Sequence, residues 1–197
     1  MSSAISSTGK PKGNALVLRL DGGRVKTYKS NPKACDKDDS KNCIRYYLVG
    51  YHAQARLFFV WVQFYEAHES ILVSARDGTE TSLLNIPHFA PDGLTFAVVD
   101  IEPTHQTKYD FAIGSVATNP PSLTWIRKTR DEEEWEFRRW LDKDNVAVFL
   151  TTPSPPGCPE GKCEAVLTRN GKVWKLDFTS VPESTGGGSV WSRVPTR

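Results

Sequence analysis

A strand–turn–strand pattern recurs along this chain, and it constrains the fold more than any other feature. In residues 85–99, apolar stretches flank Pro91-Asp92-Gly93, in which Pro91 presets φ and Gly93 accommodates a positive φ. Three further hairpin turns are indicated at Asp21-Gly22-Gly23, Asp77-Gly78 and Asn170-Gly171. The chain is therefore predicted to consist of consecutive antiparallel hairpins.

Apolar strand pairs lie between these hairpins and complete a longer repeat. The pairs are 46–50 with 57–64, 87–89 with 94–99, and 135–140 with 146–150. The alternation predicts about four strands per 40 to 50 residues, which is a typical period for sheet repeats. The predicted repeats span 45–84, 86–127 and 134–178, and the hairpin at 15–28 is left over.

Residues 131–140 allow two interpretations. The acidic run 131–134 and the Glu134–Arg138 spacing are compatible with the first turns of a helix. Against a helix, Trp135 and Phe137 alternate with polar residues, as on a half-buried strand. The strand also fits the repeat, and we predict a strand here.

These patterns predict an all-β domain over residues 14–178. We expect about 14 antiparallel strands in repeated hairpins, arranged as a small propeller-like structure or as a sandwich. Residues 1–13 are rich in Ser, Gly and Lys, and residues 179–197 contain a Gly-rich run. We expect the first to be a flexible tail and the second to be loosely ordered.

The cysteines form two close pairs, Cys35 with Cys43 and Cys158 with Cys163, each separated by a polar segment. An even number of cysteines in local pairs predicts two small disulfide-closed loops and an oxidising compartment. The alternative is a zinc site, but neither pair has the C-x2-C spacing that is usual for structural zinc. We expect a periplasmic or secreted protein whose signal peptide has been removed.

Charge and motifs exclude several functional classes. The 25 basic and 23 acidic residues leave a net charge of +2, which gives no reason to expect nucleic-acid binding. The longest apolar run, 57–62, is too short to cross a bilayer. Asp36, Asp38 and Ser40 have the spacing of calcium-loop ligands, but the required Gly and terminal Glu are missing. We predict no cofactor, no metal and no catalytic residue.

Aromatic and basic residues are the better candidates for a binding site, because such side chains stack on sugars or anchor protein partners. Trp61 lies in one predicted strand, and Tyr65 lies just beyond the end of that strand. Trp125, Arg127 and Arg130 lie in and after another strand. We predict these five residues as binding residues. Asp100 and Glu102 are the only carboxylates with a strand-end position suited to glycan cleavage.

Residues 85–99 resemble the PD40 (TolB-type, WD40-like) β-propeller repeat, whose core reads apolar-Pro-x-Phe-Ser-Pro-Asp-Gly. Here the Ser is replaced by Ala90. The resemblance implies a propeller fold and proteins that mostly bind other proteins, often in the bacterial envelope. We therefore expect a non-enzymatic, disulfide-stabilised protein-binding module, of the inhibitor or immunity type. The alternative is a carbohydrate-binding or glycan-cleaving propeller protein.

Overall fold

The computed structural model describes residues 11–12, 14–100, 109–128, 134–151, 162–171 and 173–177. Within them it contains fifteen strands in four antiparallel sheets and one short helix, α1 (Pro32–Cys35). The prediction of an all-β chain of repeated hairpins is confirmed. The chain divides into two compact units, one ending at Leu83 and the other beginning at Leu84.

The first unit begins with a three-stranded sheet. Its strands are β1 (Pro11–Lys12), β2 (Ala15–Arg19) and β3 (Val25–Lys29), in the order β1-β2-β3. The Asp21–Gly23 turn joins β2 to β3, and both of its glycines adopt the positive φ that such a turn requires. Leu16 and Leu18 alternate with more exposed residues and are buried, so β2 presents one apolar face.

A four-stranded sheet completes the first unit. Its strands β4 (Arg45–His52), β5 (Leu57–Gln63), β6 (His68–Ser74) and β7 (Glu80–Leu83) lie side by side in chain order. One face of this sheet packs against Leu16 and Leu18 of β2. The buried residues that it contributes are Phe58, Val60, Val62, Ile71, Val73 and Ala75. Burial of these side chains is the main source of stability of the unit.

A β-bulge in β4 sets which of its side chains face this core. Tyr47 pairs with Trp61 and Leu48 with Val60, but Gly50 pairs with Phe59, so Val49 is the extra residue. Because of the bulge, Leu48 and Tyr51 both pack against the core although they are three residues apart.

The second unit contains two four-stranded sheets. The first consists of β8 (His88–Phe89), β9 (Thr95–Val99), β10 (Phe111–Ser115) and β11 (Ser122–Arg127). The second consists of β12 (Glu134–Trp140), β13 (Asn145–Thr151), β14 (Lys162–Asn170) and β15 (Val173–Asp177). Their shared core joins Val99, Phe111 and Ile113 of the first sheet to Trp135, Val148 and Leu167 of the second.

The three predicted repeats coincide with the three four-stranded sheets, which span residues 45–83, 88–127 and 134–177. The strand interpretation of residues 134–140 is confirmed, since they form β12. β12 also has a bulge, at Arg138, and the bulge turns Trp140 towards the same core as Trp135 and Phe137.

The Cys35–Cys43 disulfide is confirmed, with the two Cα atoms 4.4 Å apart. The short helix α1 ends at Cys35, so it leads directly into the segment that the disulfide closes. Cys163 is disulfide-bonded as well, and its predicted partner Cys158 lies outside the described residues. Pro11 and Lys12, at the end of the predicted N-terminal tail, pair with β2. Residues 1–10 and 179–197 are outside the described part of the chain.

Candidate binding surface

Aromatic side chains that are exposed or partly exposed gather at one end of the β4–β5–β6 hairpins in the first unit. Tyr47 lies opposite Trp61 across the β4–β5 pair, and its hydroxyl donates to Gln63 Oε1 at 3.4 Å. The ring of Trp61 stacks on His68, with the ring centroids 4.4 Å apart. Tyr65 lies in the turn that joins Gln63 to His68. We call these five residues, Tyr47, Trp61, Gln63, Tyr65 and His68, the aromatic surface.

Strand alternation places Tyr47, Trp61 and Gln63 on the sheet face opposite the core that contains Leu16. The middle of that face is buried at Phe59, and its end is exposed at Tyr47 and Gln63. Val60 and Val62 of β5 point into the core of the first unit, so Trp61 and Gln63 point to the opposite face. Tyr47 is 45% exposed and Tyr65 is 40% exposed, which are high values for such large side chains.

The disulfide-closed segment 35–43 borders this surface and makes one polar contact with it and one with Arg45 beside it. The Tyr65 hydroxyl donates to Asp38 Oδ1 at 3.1 Å, and Arg45 forms an ion pair with Asp36 at 2.7 Å. Arg45 begins β4 and lies opposite Gln63. Asp36 and Asp38, which have the spacing of calcium ligands, are therefore used in contacts with Arg45 and Tyr65.

The electrostatic environment of Tyr65 favours its neutral form. The hydrogen bond to Asp38 and the negative charges of Asp38 and Glu66 raise the pKa of Tyr65. A neutral phenol remains a hydrogen-bond donor and presents an uncharged ring face. This chemistry suits an amphipathic contact with another molecule rather than acid–base catalysis.

The other predicted binding residues belong to the second unit. Trp125 packs edge-on against Phe111 with the ring centroids 5.5 Å apart, and it is partly buried against the core. The Arg127 guanidinium lies 5.8 Å from the centroid of the Trp135 ring. Arg130 is outside the described residues. Trp125 and Arg127 thus share the inward face of β11, whereas Ile126 between them is 47% exposed.

Only one of the two carboxylates considered for glycan cleavage lies in the described part of the chain. Asp100 is only 8% exposed, and its backbone N–H donates to the carbonyl of Asp110 at 2.8 Å. Glu102 lies outside the described residues. Among the residues that are described, no group of three or more His, Cys, Asp and Glu could hold a metal ion.

A second polar cluster joins β3 to β7 in the first unit. Lys26 forms an ion pair with Glu80 at 2.7 Å, and the Tyr28 hydroxyl donates to the same carboxylate. Burial disfavours ionised Glu80, but the hydrogen bonds from Lys26 and Tyr28 outweigh it and lower the pKa of Glu80. Burial and, secondarily, the charge of Glu80 raise the pKa of Glu69. The cluster ties the two sheets together, because Glu80 accepts from two residues of β3.

Sequence reasoning identified Trp61 and Tyr65 but missed Tyr47, Gln63 and His68. Without the bulge at Val49, counting back from the β4–β5 turn places Tyr47 opposite Val62, on the core face. The bulge places Tyr47 opposite Trp61 and therefore on the other face of the sheet. The two adjacent tyrosines, Tyr46 and Tyr47, were the available signal, since one of two neighbours on a strand must face outward.

No protein-family model, no curated protein and no solved structure matches this chain. No helix in the described part of the chain has the length and apolar character needed to cross a bilayer.

Proposed function

We propose that this protein is a non-enzymatic protein-binding module of the bacterial envelope. The observation that carries the proposal is the aromatic surface, in which Tyr47 and Tyr65 are exposed yet hydrogen-bonded to Gln63 and Asp38. Tyrosine and tryptophan are the residues that most often anchor protein interfaces. Side chains that are already oriented lose less conformational entropy on binding.

The envelope location rests on the disulfide and on the PD40 resemblance. A disulfide such as Cys35–Cys43 persists in the periplasm or outside the cell. The segment that resembles the PD40 repeat forms a hairpin, in which β8 pairs with β9 and Gly93 has a φ of +65°. Three consecutive four-stranded sheets support a propeller-like arrangement, which is part of this proposal.

An inhibitor or immunity-type protein is the form of this function that we propose. Such a protein acts by forming one tight complex, and a rigid sheet that carries oriented aromatic anchors suits that task. Carbohydrate binding or cleavage stays the alternative.

The test is affinity capture from an extract of the native envelope, with the disulfides kept intact, followed by native mass spectrometry of the eluted complex. We expect one protein partner at a fixed stoichiometry. Absence of any captured protein, together with binding to a glycan panel, would contradict the proposal and favour the carbohydrate alternative.

A further inference from the structure

The segment between Cys35 and Cys43 is more ordered than its polar sequence suggests. The Asp39 N–H donates to the carbonyl of Ala34, and the Cys43 N–H donates to the carbonyl of Asp39, both at 2.9 Å. Asp38 has a φ of +56°, in the left-handed region that few non-glycine residues adopt. A residue keeps such a conformation only where the surrounding structure holds it. Here the disulfide closes the segment around Asp38.

Two polar side chains of this segment contact residues of the sheet and of its β5–β6 turn. The Tyr65 hydroxyl donates a hydrogen bond to Asp38, and the Arg45 guanidinium donates one to Asp36. The Tyr65 hydroxyl is exposed, so water competes for it, and its orientation depends on Asp38 being in place. The position of Asp38 depends in turn on the closed segment.

We propose that the Cys35–Cys43 disulfide controls the aromatic surface, with Asp38 as the positioning residue that orients Tyr65. Reduction of the disulfide releases the segment, and Tyr65 then loses its hydrogen bond and its fixed orientation. The proposal rests on the proposed function for its binding consequence. Its structural part, the dependence of Tyr65 on the disulfide, stands independently.

The chemistry of the switch is thiol–disulfide exchange. A thiolate of a dithiol reductant attacks one sulfur of the Cys35–Cys43 bond and forms a mixed disulfide, and the second thiol of the reductant then resolves it. Two electrons and two protons pass to the protein, which gains two thiols, and the reductant becomes a disulfide. Cys35 is partly exposed and Cys43 is 4% exposed, so Cys35 is the sulfur that a reductant reaches.

The experiment follows Tyr65 directly and needs no partner. Protein carrying ¹³Cζ-labelled tyrosine is titrated with alkali, and the Tyr65 signal is assigned by its loss in Tyr65→Phe. The oxidised protein is compared with Cys35→Ser/Cys43→Ser, which opens only this disulfide. We expect the pKa of Tyr65 to fall towards its usual value in the double variant, and backbone amides of 36–42 to exchange faster.

Two variants that keep the disulfide separate positioning from folding. Asp38→Ala removes the acceptor and should lower the pKa of Tyr65 as the double serine variant does. Asp38→Asn keeps a hydrogen-bond acceptor and tolerates the left-handed conformation. The Tyr65 hydroxyl should therefore stay hydrogen-bonded, and the pKa of Tyr65 should fall less than in Asp38→Ala. An unchanged Tyr65 titration and unchanged amide exchange in Cys35→Ser/Cys43→Ser would overturn the proposal.

Failure of the proposed function has a different signature. If no protein partner exists, the capture experiment fails while the Tyr65 titration still responds to the disulfide. If a partner exists, its affinity should fall roughly tenfold with Cys35→Ser/Cys43→Ser and with Asp38→Ala, as expected for loss of one oriented anchor. Equal binding by these variants and the wild type would contradict the binding part of the proposal.

Discussion

His88 is a half-buried side chain that links two sheets and makes their packing depend on pH. Its ring stacks on Phe137 of β12 at 3.9 Å between centroids, and its backbone carbonyl accepts the indole N–H of Trp140 at 2.9 Å. Burial lowers the pKa of His88 from 6.5 to about 4. The folded protein therefore takes up the His88 proton less readily than the unfolded chain does.

This difference predicts that acid destabilises the protein through His88. The contribution is fully present above the unfolded pKa of 6.5 and is lost progressively as the pH falls towards about 4. Between pH 7 and pH 5 the loss should be about 2 kcal/mol, measured by urea unfolding at both pH values. Burial also lowers the pKa of His52, which adds a loss of the same sign.

The matched control for this prediction is His88→Phe, which keeps an aromatic ring against Phe137 but does not titrate. Its stability should decrease less between pH 7 and pH 5 than that of the wild type. The same pH dependence in both proteins would show that His88 is not the group responsible.

Gly114 lies where the core of the second unit leaves no room for a Cβ atom. It lies directly opposite Phe96, and a Cβ at this position would come within 2.1 Å of the Phe96 ring. We expect Gly114→Ala to destabilise the protein by about 1–3 kcal/mol, because Phe96 is fully buried and cannot move aside freely. Urea unfolding measures the loss. Adding Phe96→Leu should restore part of it, and strict additivity of the two substitutions would contradict the clash.

The strands β4 and β12 have the same spacing of core-facing residues, although their sequences are different. Tyr46, Leu48 and Tyr51 of β4 face one core, at positions i, i+2 and i+5. Trp135, Phe137 and Trp140 of β12 face the other core with the same spacing. In both strands a bulge follows the second residue, at Val49 and at Arg138. The first strands of two four-stranded sheets are thus built alike.

Deletion of Arg138 should be tolerated far better than truncation of Trp140. The deletion removes only the extra residue of the bulge, so Arg139 and Trp140 keep Ala147 and Val146 as their partners and Trp140 stays on the core face. We expect the deletion to cost about 1 kcal/mol, and Arg138→Ala, which keeps the bulge and removes an exposed ion pair, to cost less than about 1 kcal/mol. Trp140→Ala loses the contact with Trp174 and the bond to His88 and should cost about 3 kcal/mol. Urea unfolding measures these losses, and a deletion as costly as Trp140→Ala would contradict the assignment of Arg138 as the extra residue.

These bulges also explain what sequence reasoning could and could not find. The turn residues Asp77-Gly78, Pro91-Asp92-Gly93 and Asn170-Gly171 locate the hairpins, because their chemistry acts over two or three residues. A bulge adds one unpaired residue that no local preference marks, and unbroken alternation would place Trp140 and Tyr47 on the wrong faces. The PD40 assignment, the compartment and the protein partner stay predictions.

At the scale of the whole molecule, the predicted binding residues separate into two sets. Trp61 and Tyr65 belong to the aromatic surface of the first unit. Trp125 and Arg127 face the core of the second unit. Composition and motif spacing cannot separate these sets, since exposure depends on which strands pair and in which register. The proposed binding function therefore rests on the first set.

The most direct test compares three baits in parallel capture from envelope extract. The baits are the wild type, Tyr47→Ala/Tyr65→Ala, and Ile126→Ala, which truncates an equally exposed apolar residue of the second unit. Loss of two interface anchors should cost about 3 kcal/mol, which is roughly a 100-fold loss of affinity. We expect the wild type and Ile126→Ala to retain the same partner and the tyrosine variant to lose it. Capture of that partner by all three baits would contradict the claim that the aromatic surface is the binding site.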